Sequence, residues 1–150
     1  MAANSPEIQV LSDNGKGAVI KINGYYTSAV NLSSKIITAN TLAFANTDPA
    51  KNCVISITGL DYIVDMTTGY VQLGWVGASA NTPIMTFGSA QSGSLEKLYL
   101  TNNAASPTGD INLIVTNAQP GDGYTFILAI NKEVGYERAY VAYNDNLFKP

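Results

Sequence analysis

Apolar and polar residues alternate with a period of two through most of this chain, and turn residues separate the alternating runs. That is the pattern of strands that show one face to a core and the other to water. The first two runs, residues 7–12 and 18–23, are joined by Asp13-Asn14-Gly15-Lys16-Gly17. Glycine stands there where a short link needs positive φ, so an opening hairpin is predicted. Residues 34–38 read as a strand, whereas residues 41–45 read equally as a strand or as one helical turn. Leu60, Tyr62, Val64 and Met66 fall on one face of a strand and Asp61, Ile63 and Asp65 on the other, which points the first set inward. Thr67-Thr68-Gly69 then turns the chain, and Val71, Leu73 and Trp75 alternate with Gln72 and Gly74 in a strand expected to pair with the previous one as a hairpin. Further runs occupy residues 84–87, 95–100, 111–117, 124–131 and 136–143. The two that flank residues 118–123 make the clearest hairpin pattern, with Tyr124, Phe126, Leu128 and Ile130 as an inward row. No segment combines helix caps with a long apolar stripe.

Eight or more strands predict an all-β fold, an antiparallel β-sandwich of jelly-roll-like form with an N-terminal hairpin or arm. No repeat or linker divides the 150 residues. The expected organisation is an arm or hairpin over residues 1–16 and a single sandwich over residues 17–150. Such a chain buries roughly 70% of the surface that its unfolded form exposes, so it needs no covalent staple. The arm has two open fates. Ile8, Val10 and Leu11 alternate with Glu7 and Gln9, so the segment either pairs with residues 18–23 or adds a strand to a neighbour.

Composition changes the picture at the surface. The apolar fraction of 46% is ordinary, but only 13% of residues are charged, about half the usual level. Asn, Ser, Thr and Gly wet the exterior instead, and residues 66–95 carry no charge at all although they include Trp75, Met85 and Phe87. A neutral surface loses little solvation when it packs on a neighbour, so the loops at residues 76–82 and 88–93 are candidate contacts with another subunit. The alternative is that this stretch is core strands joined by neutral loops. A net charge of −3 without a dense Lys/Arg patch argues against nucleic acid as a partner. No run of 18 apolar residues spans a membrane, and the first 20 residues lack the apolar centre of a secretory signal. A protein made in the cytoplasm is expected.

Catalytic chemistry is scarce. The chain has no His, which removes the commonest general base and metal ligand. Asp61 and Asp65 share a strand face but stand roughly 13 Å apart, too far for a glycosidase pair. Gly121-Asp122-Gly123 lacks the alternating carboxylates of a calcium loop. Cys53, the single thiol, sits in an apolar run and reads as packing. No enzyme activity, cofactor or metal is expected. The remaining theme is tyrosine, nine in all, whose rings serve packing, protein interfaces and sugar platforms alike. Ile8, Val10, Leu11, Tyr25, Tyr26, Tyr140, Tyr143 and Phe148 are the candidate interface residues.

Three motifs carry a resemblance. Val71-Gln72-Leu73-Gly74-Trp75 is similar to V-x-L-x-W; Thr108-Gly109-Asp110-Ile111-Asn112-Leu113 to T-G-D-I-x-L; and Gly121-Asp122-Gly123-Tyr124-Thr125-Phe126-Ile127-Leu128 to G-D-x-Y-T-x-x-L. In this order and spacing, over residues 60–132, they resemble a family of tailed-bacteriophage virion proteins. The chain departs from that family in its poorly matched residues up to about 41 and in its tyrosine-rich continuation through residues 134–150. The resemblance implies a structural protein on the outer capsid surface, a decoration or cement protein that binds the major capsid protein and itself, expectedly as a homotrimer. It brings no catalytic residues. A neck, tail or baseplate component and a glycan- or receptor-binding sandwich are the alternatives.

Overall fold

A computed structural model describes residues 5–46, 53–104 and 107–136. Among them lie ten strands, β1 (Glu7–Asp13), β2 (Gly17–Tyr25), β3 (Val30–Ile37), β4 (Val54–Asp65), β5 (Tyr70–Gly77), β6 (Thr82–Phe87), β7 (Gln91–Leu95), β8 (Leu100–Thr101), β9 (Pro107–Ala118) and β10 (Gly123–Val134). A 3₁₀ turn at Ala39–Thr41 follows β3. One sheet has the order β1-β2-β10-β4-β7, with β8 also pairing β4, and the other has the order β3-β9-β5-β6. All of the pairings are antiparallel. With β1 and the short β8 set aside, the first of the remaining eight strands pairs the last and the second pairs the seventh. That is the strand order of a jelly roll, so the all-β antiparallel sandwich is of this form.

The inner rows are those that the period of two marks out. Ile20, Ile22, Leu60, Val64, Phe126 and Leu128 face Val71, Leu73, Trp75, Leu113 and Val115 across the sandwich, all buried. Aromatic rings stitch the two layers: Phe87 of β6 lies 4.7 Å from the Tyr62 ring and 5.1 Å from the Phe126 ring, both on the opposite sheet. Tilted pairs at such spacings add to the area that they bury.

Two expected hairpins are corners between sheets. β5 pairs β6 and β9, not β4, and β10 pairs β2 and β4, not β9. Thr67-Thr68-Gly69 and residues 119–122 each carry the chain from one layer to the other. Gly69 fits this role because any Cβ there would collide with the Thr116 carbonyl of β9. The opening hairpin does form, with Glu7 opposite Asn23 and a bulge between Val10 and Ser12.

Two further differences concern short segments. Residues 95–100 are not one strand; β7 ends at Leu95 and β8 starts at Leu100. The supposed loop at residues 88–93 contains the start of β7, whose Ser and Gly residues give no apolar alternation. What orders β7 is its ladder to β4, in which Gly93 lies opposite Tyr62 and leaves room for its ring. Of the ambiguous residues 41–45, Thr41 closes the 3₁₀ turn and Ala45 makes a single bridge to Tyr136. The expected strand at residues 136–143 lies outside the described residues apart from Tyr136.

Candidate functional site

β1 is the edge of the wider sheet. Ile8 and Val10 stand opposite Ile22 and Ile20, so they continue the core-facing row of β2. Among the described residues the second sheet ends at β3 and has no further strand to lie under β1. Ile8 and Val10 are therefore 43% and 54% exposed, and Leu11 at the bulge 48%. Three expected interface residues thus form an apolar strip along a sheet edge that no other described strand pairs, with backbone groups that a further strand can pair. β1 is held at its far end. Lys132 of β10, whose side chain is wholly buried, lies 2.5 Å from Asp13 Oδ1 and donates to the carbonyls of Asn14 and Ala43.

Tyr25 and Tyr26 part company at the end of β2. Tyr25 points outward and is 56% exposed, whereas Tyr26 is fully buried. This corrects the expectation that both serve an interface, because side chains alternate along the strand and Tyr26 turns into the core. Its hydroxyl lies 3.0 Å from that of Tyr124, its amide donates to the Asp122 carbonyl and its carbonyl accepts from Gly121 N–H. Burial pushes both phenols above their usual range.

Asp122 organises the same end of the sandwich. Its Oδ1 accepts from the Thr67 amide and hydroxyl and its Oδ2 from the Gln119 amide, which ties the two corners together. Burial resists ionisation, but the hydrogen bonds from Thr67 and Gln119 outweigh it and hold the carboxyl below its usual range.

Beside this corner, on the outer face of the wider sheet, is a hollow of about 250 Å³ lined by Tyr25, Ile63, Asp65, Gly123 and Thr125, among others. Pairing register explains it. Tyr25, Gly123 and Asp65 form one row across β2, β10 and β4, and Asn23, Thr125 and Ile63 form the next. The glycine in the middle of the first row leaves a gap one strand wide between a ring and a carboxylate. Sequence reading placed Asp65 and Ile63 on this face but missed the hollow, since the row joins three strands that are far apart in the chain.

The other expected residues fall elsewhere. Tyr140, Tyr143 and Phe148 lie outside the described residues. Tyr136, just past the end of β10, donates from its hydroxyl to the Ala39 carbonyl; burial first, then the neighbouring Cys53, raises its phenol. Cys53 is buried, and its thiol donates to the Gly135 carbonyl. Among the described residues, no three of Cys, Asp and Glu come together in a way that suits a metal ion.

No family model matches the chain, and no curated protein does. Solved structures similar to it include family 29 carbohydrate-binding modules. A mutant of one such module is 10% identical, with 97% of this chain and 99% of that chain covered and a TM-score of 0.41. Another family 29 module is 11% identical, with 85% and 89% covered and a TM-score of 0.42. Neither value places the chain among those modules.

Proposed function

We propose that this chain is a non-catalytic structural part of a tailed-phage virion, which attaches to the outer capsid lattice and cements neighbouring capsomers. The observation that carries this reading is the β1 edge, where Ile8, Val10 and Leu11 lie exposed along a strand that, among the described residues, is paired on one side alone. A strand of a capsid subunit that adds there gains main-chain hydrogen bonds and covers the apolar strip. Each copy then contributes a modest contact that the symmetry of the shell multiplies. Motif resemblance over residues 60–132 and the low charge of the surface support the same reading. Self-association as a trimer belongs to it and is checked by light scattering. Counting copies per purified virion by quantitative mass spectrometry tests the position: hundreds fit a decoration protein, and a few to a few dozen fit a neck or tail component and overturn it.

A second reading, a glycan- or receptor-binding domain, is favoured by one specific observation, the hollow between Tyr25 and Asp65.

A further inference from the structure

We infer that the hollow between Tyr25 and Asp65 is a saccharide site that takes one pyranose ring of a longer glycan laid over the outer face of the wider sheet. This rests on the second reading above and narrows it to a place and a ligand class.

The rows of the sheet set the dimensions. Neighbouring strands are about 4.8 Å apart, so the backbones at Tyr25 and Asp65, with Gly123 between them, stand roughly 10 Å apart. Gly123 keeps the floor low, and a Cβ there would meet the Tyr25 ring at 3.7 Å and the Gly24 carbonyl at 2.8 Å. The Tyr25 ring therefore leans beside a patch of bare backbone. Opposite it stands the Asp65 carboxylate, exposed and acceptor-only when ionised. The adjoining row supplies Thr125, whose hydroxyl lies 2.8 Å from Asn23 Oδ1, and Ile63, 65% exposed.

A pyranose has the matching chemistry. One face is a flat array of C–H groups that rests on an aromatic ring, and the rim carries adjacent hydroxyls that donate as a pair to one carboxylate. A neutral hydroxyl and amide row beside an apolar side chain continues the match for the next sugar. A guanidinium from a protein partner would take the same ring and carboxylate but leave Ile63 and the Thr125–Asn23 row without a counterpart. At about 250 Å³ the hollow falls below the roughly 300–1,000 Å³ of sites that enclose drug-sized ligands, which suits one ring held at an open surface.

The test uses the full chain, its Tyr25→Ala and Asp65→Asn variants, and a panel of immobilised plant, fungal and bacterial polysaccharides. A parallel titration uses arginine amide, followed through the backbone amide resonances of Tyr25, Gly123 and Thr125. Both substituted side chains are exposed, and circular dichroism verifies that the variants stay folded. The expected result is binding to at least one polysaccharide that falls at least tenfold in each variant, with no response to arginine amide. Binding that survives both substitutions overturns this site while leaving a glycan-binding domain in place. Absence of binding to any polysaccharide overturns the domain reading as well. A response to arginine amide alone converts the hollow into a contact for a basic protein partner and overturns the inference.

Discussion

The ammonium of Lys132, fully buried on the inner side of β10, reaches past the start of β2 to Asp13 at the end of β1, 2.5 Å from its carboxylate oxygen. Its remaining donors serve the carbonyls of Asn14 and Ala43, and the Tyr136 ring stands 5.1 Å away. All three N–H groups of the ammonium are thus matched, the condition under which a buried cation is tolerated. One side chain joins β1, the opening turn and the segment after the 3₁₀ turn.

Removal of one partner strands the other. Asp13→Ala leaves the ammonium buried beside two carbonyls and is expected to cost about 3–5 kcal/mol. Lys132→Met keeps the apolar stem and removes the charge, so its cost is expected to be smaller. Urea denaturation of the two variants checks the order; equal costs would mean that leaving the ammonium without its carboxylate carries no extra penalty.

Asp122 gives the fold a sensitivity to acid. Its carboxyl titrates lower in the folded chain than in the unfolded one because Thr67 and Gln119 donate to the ionised form. The stability it contributes is therefore complete above the unfolded value of about 4 and is lost as pH falls through the folded value. The melting temperature of the wild type should drop on acidification below about pH 4 more steeply than that of Asp122→Asn. At neutral pH, Asp122→Ala should cost about 3 kcal/mol, since it strands buried donors of both corners.

The Tyr26 and Tyr124 pair makes the opposite prediction at high pH. Both phenols titrate above their usual range, mainly through burial. Folding stability is therefore complete below the unfolded value of about 10 and falls as pH rises beyond it. Ultraviolet titration of phenolate should show these rings ionising only as the chain unfolds. Tyr26→Phe, which leaves the Tyr124 hydroxyl without this partner, should cost about 1–2 kcal/mol at neutral pH.

Local pattern told the faces of strands but, beyond the opening hairpin, not their partners. Leu60, Val64 and Met66 are buried and Ile63 exposed, as a period of two requires, because the inside and outside of a pleat are decided within five or six residues. The turn Thr67-Thr68-Gly69 carries the same signal whether the next strand pairs beside the last or crosses to the other layer. What decides it is Thr116 of β9, nearly fifty positions away, against which Gly69 packs. β7 was illegible for a related reason, since Ser92 and Gly93 show no apolar alternation and are placed by the ladder to β4. The hollow at Tyr25 shares the difficulty, because its row exists only once β2, β10 and β4 are in register.

β1 offers the sharpest test of attachment. Of the two fates open to residues 7–12, the structure shows pairing with β2, yet the side chains of β1 bury little and Ile8, Val10 and Leu11 stay exposed. The strand thus lends its own domain a backbone ladder but almost no core. Its anchor, Asp13, which is paired with Lys132, lies just beyond the segment and is not removed when residues 1–12 are deleted. The deleted chain should therefore stay folded, with β2 as the new edge and a modest fall in melting temperature. Binding to shells that lack the protein should fall at least tenfold, because the apolar strip leaves with β1 and the new edge at β2 lies one strand further in. Ile8→Ser with Val10→Ser separates the two contributions, since it removes the strip and keeps the backbone edge. If the double variant binds shells as the wild type does, strand addition alone suffices. If the deletion itself leaves shell binding intact, attachment does not run through β1.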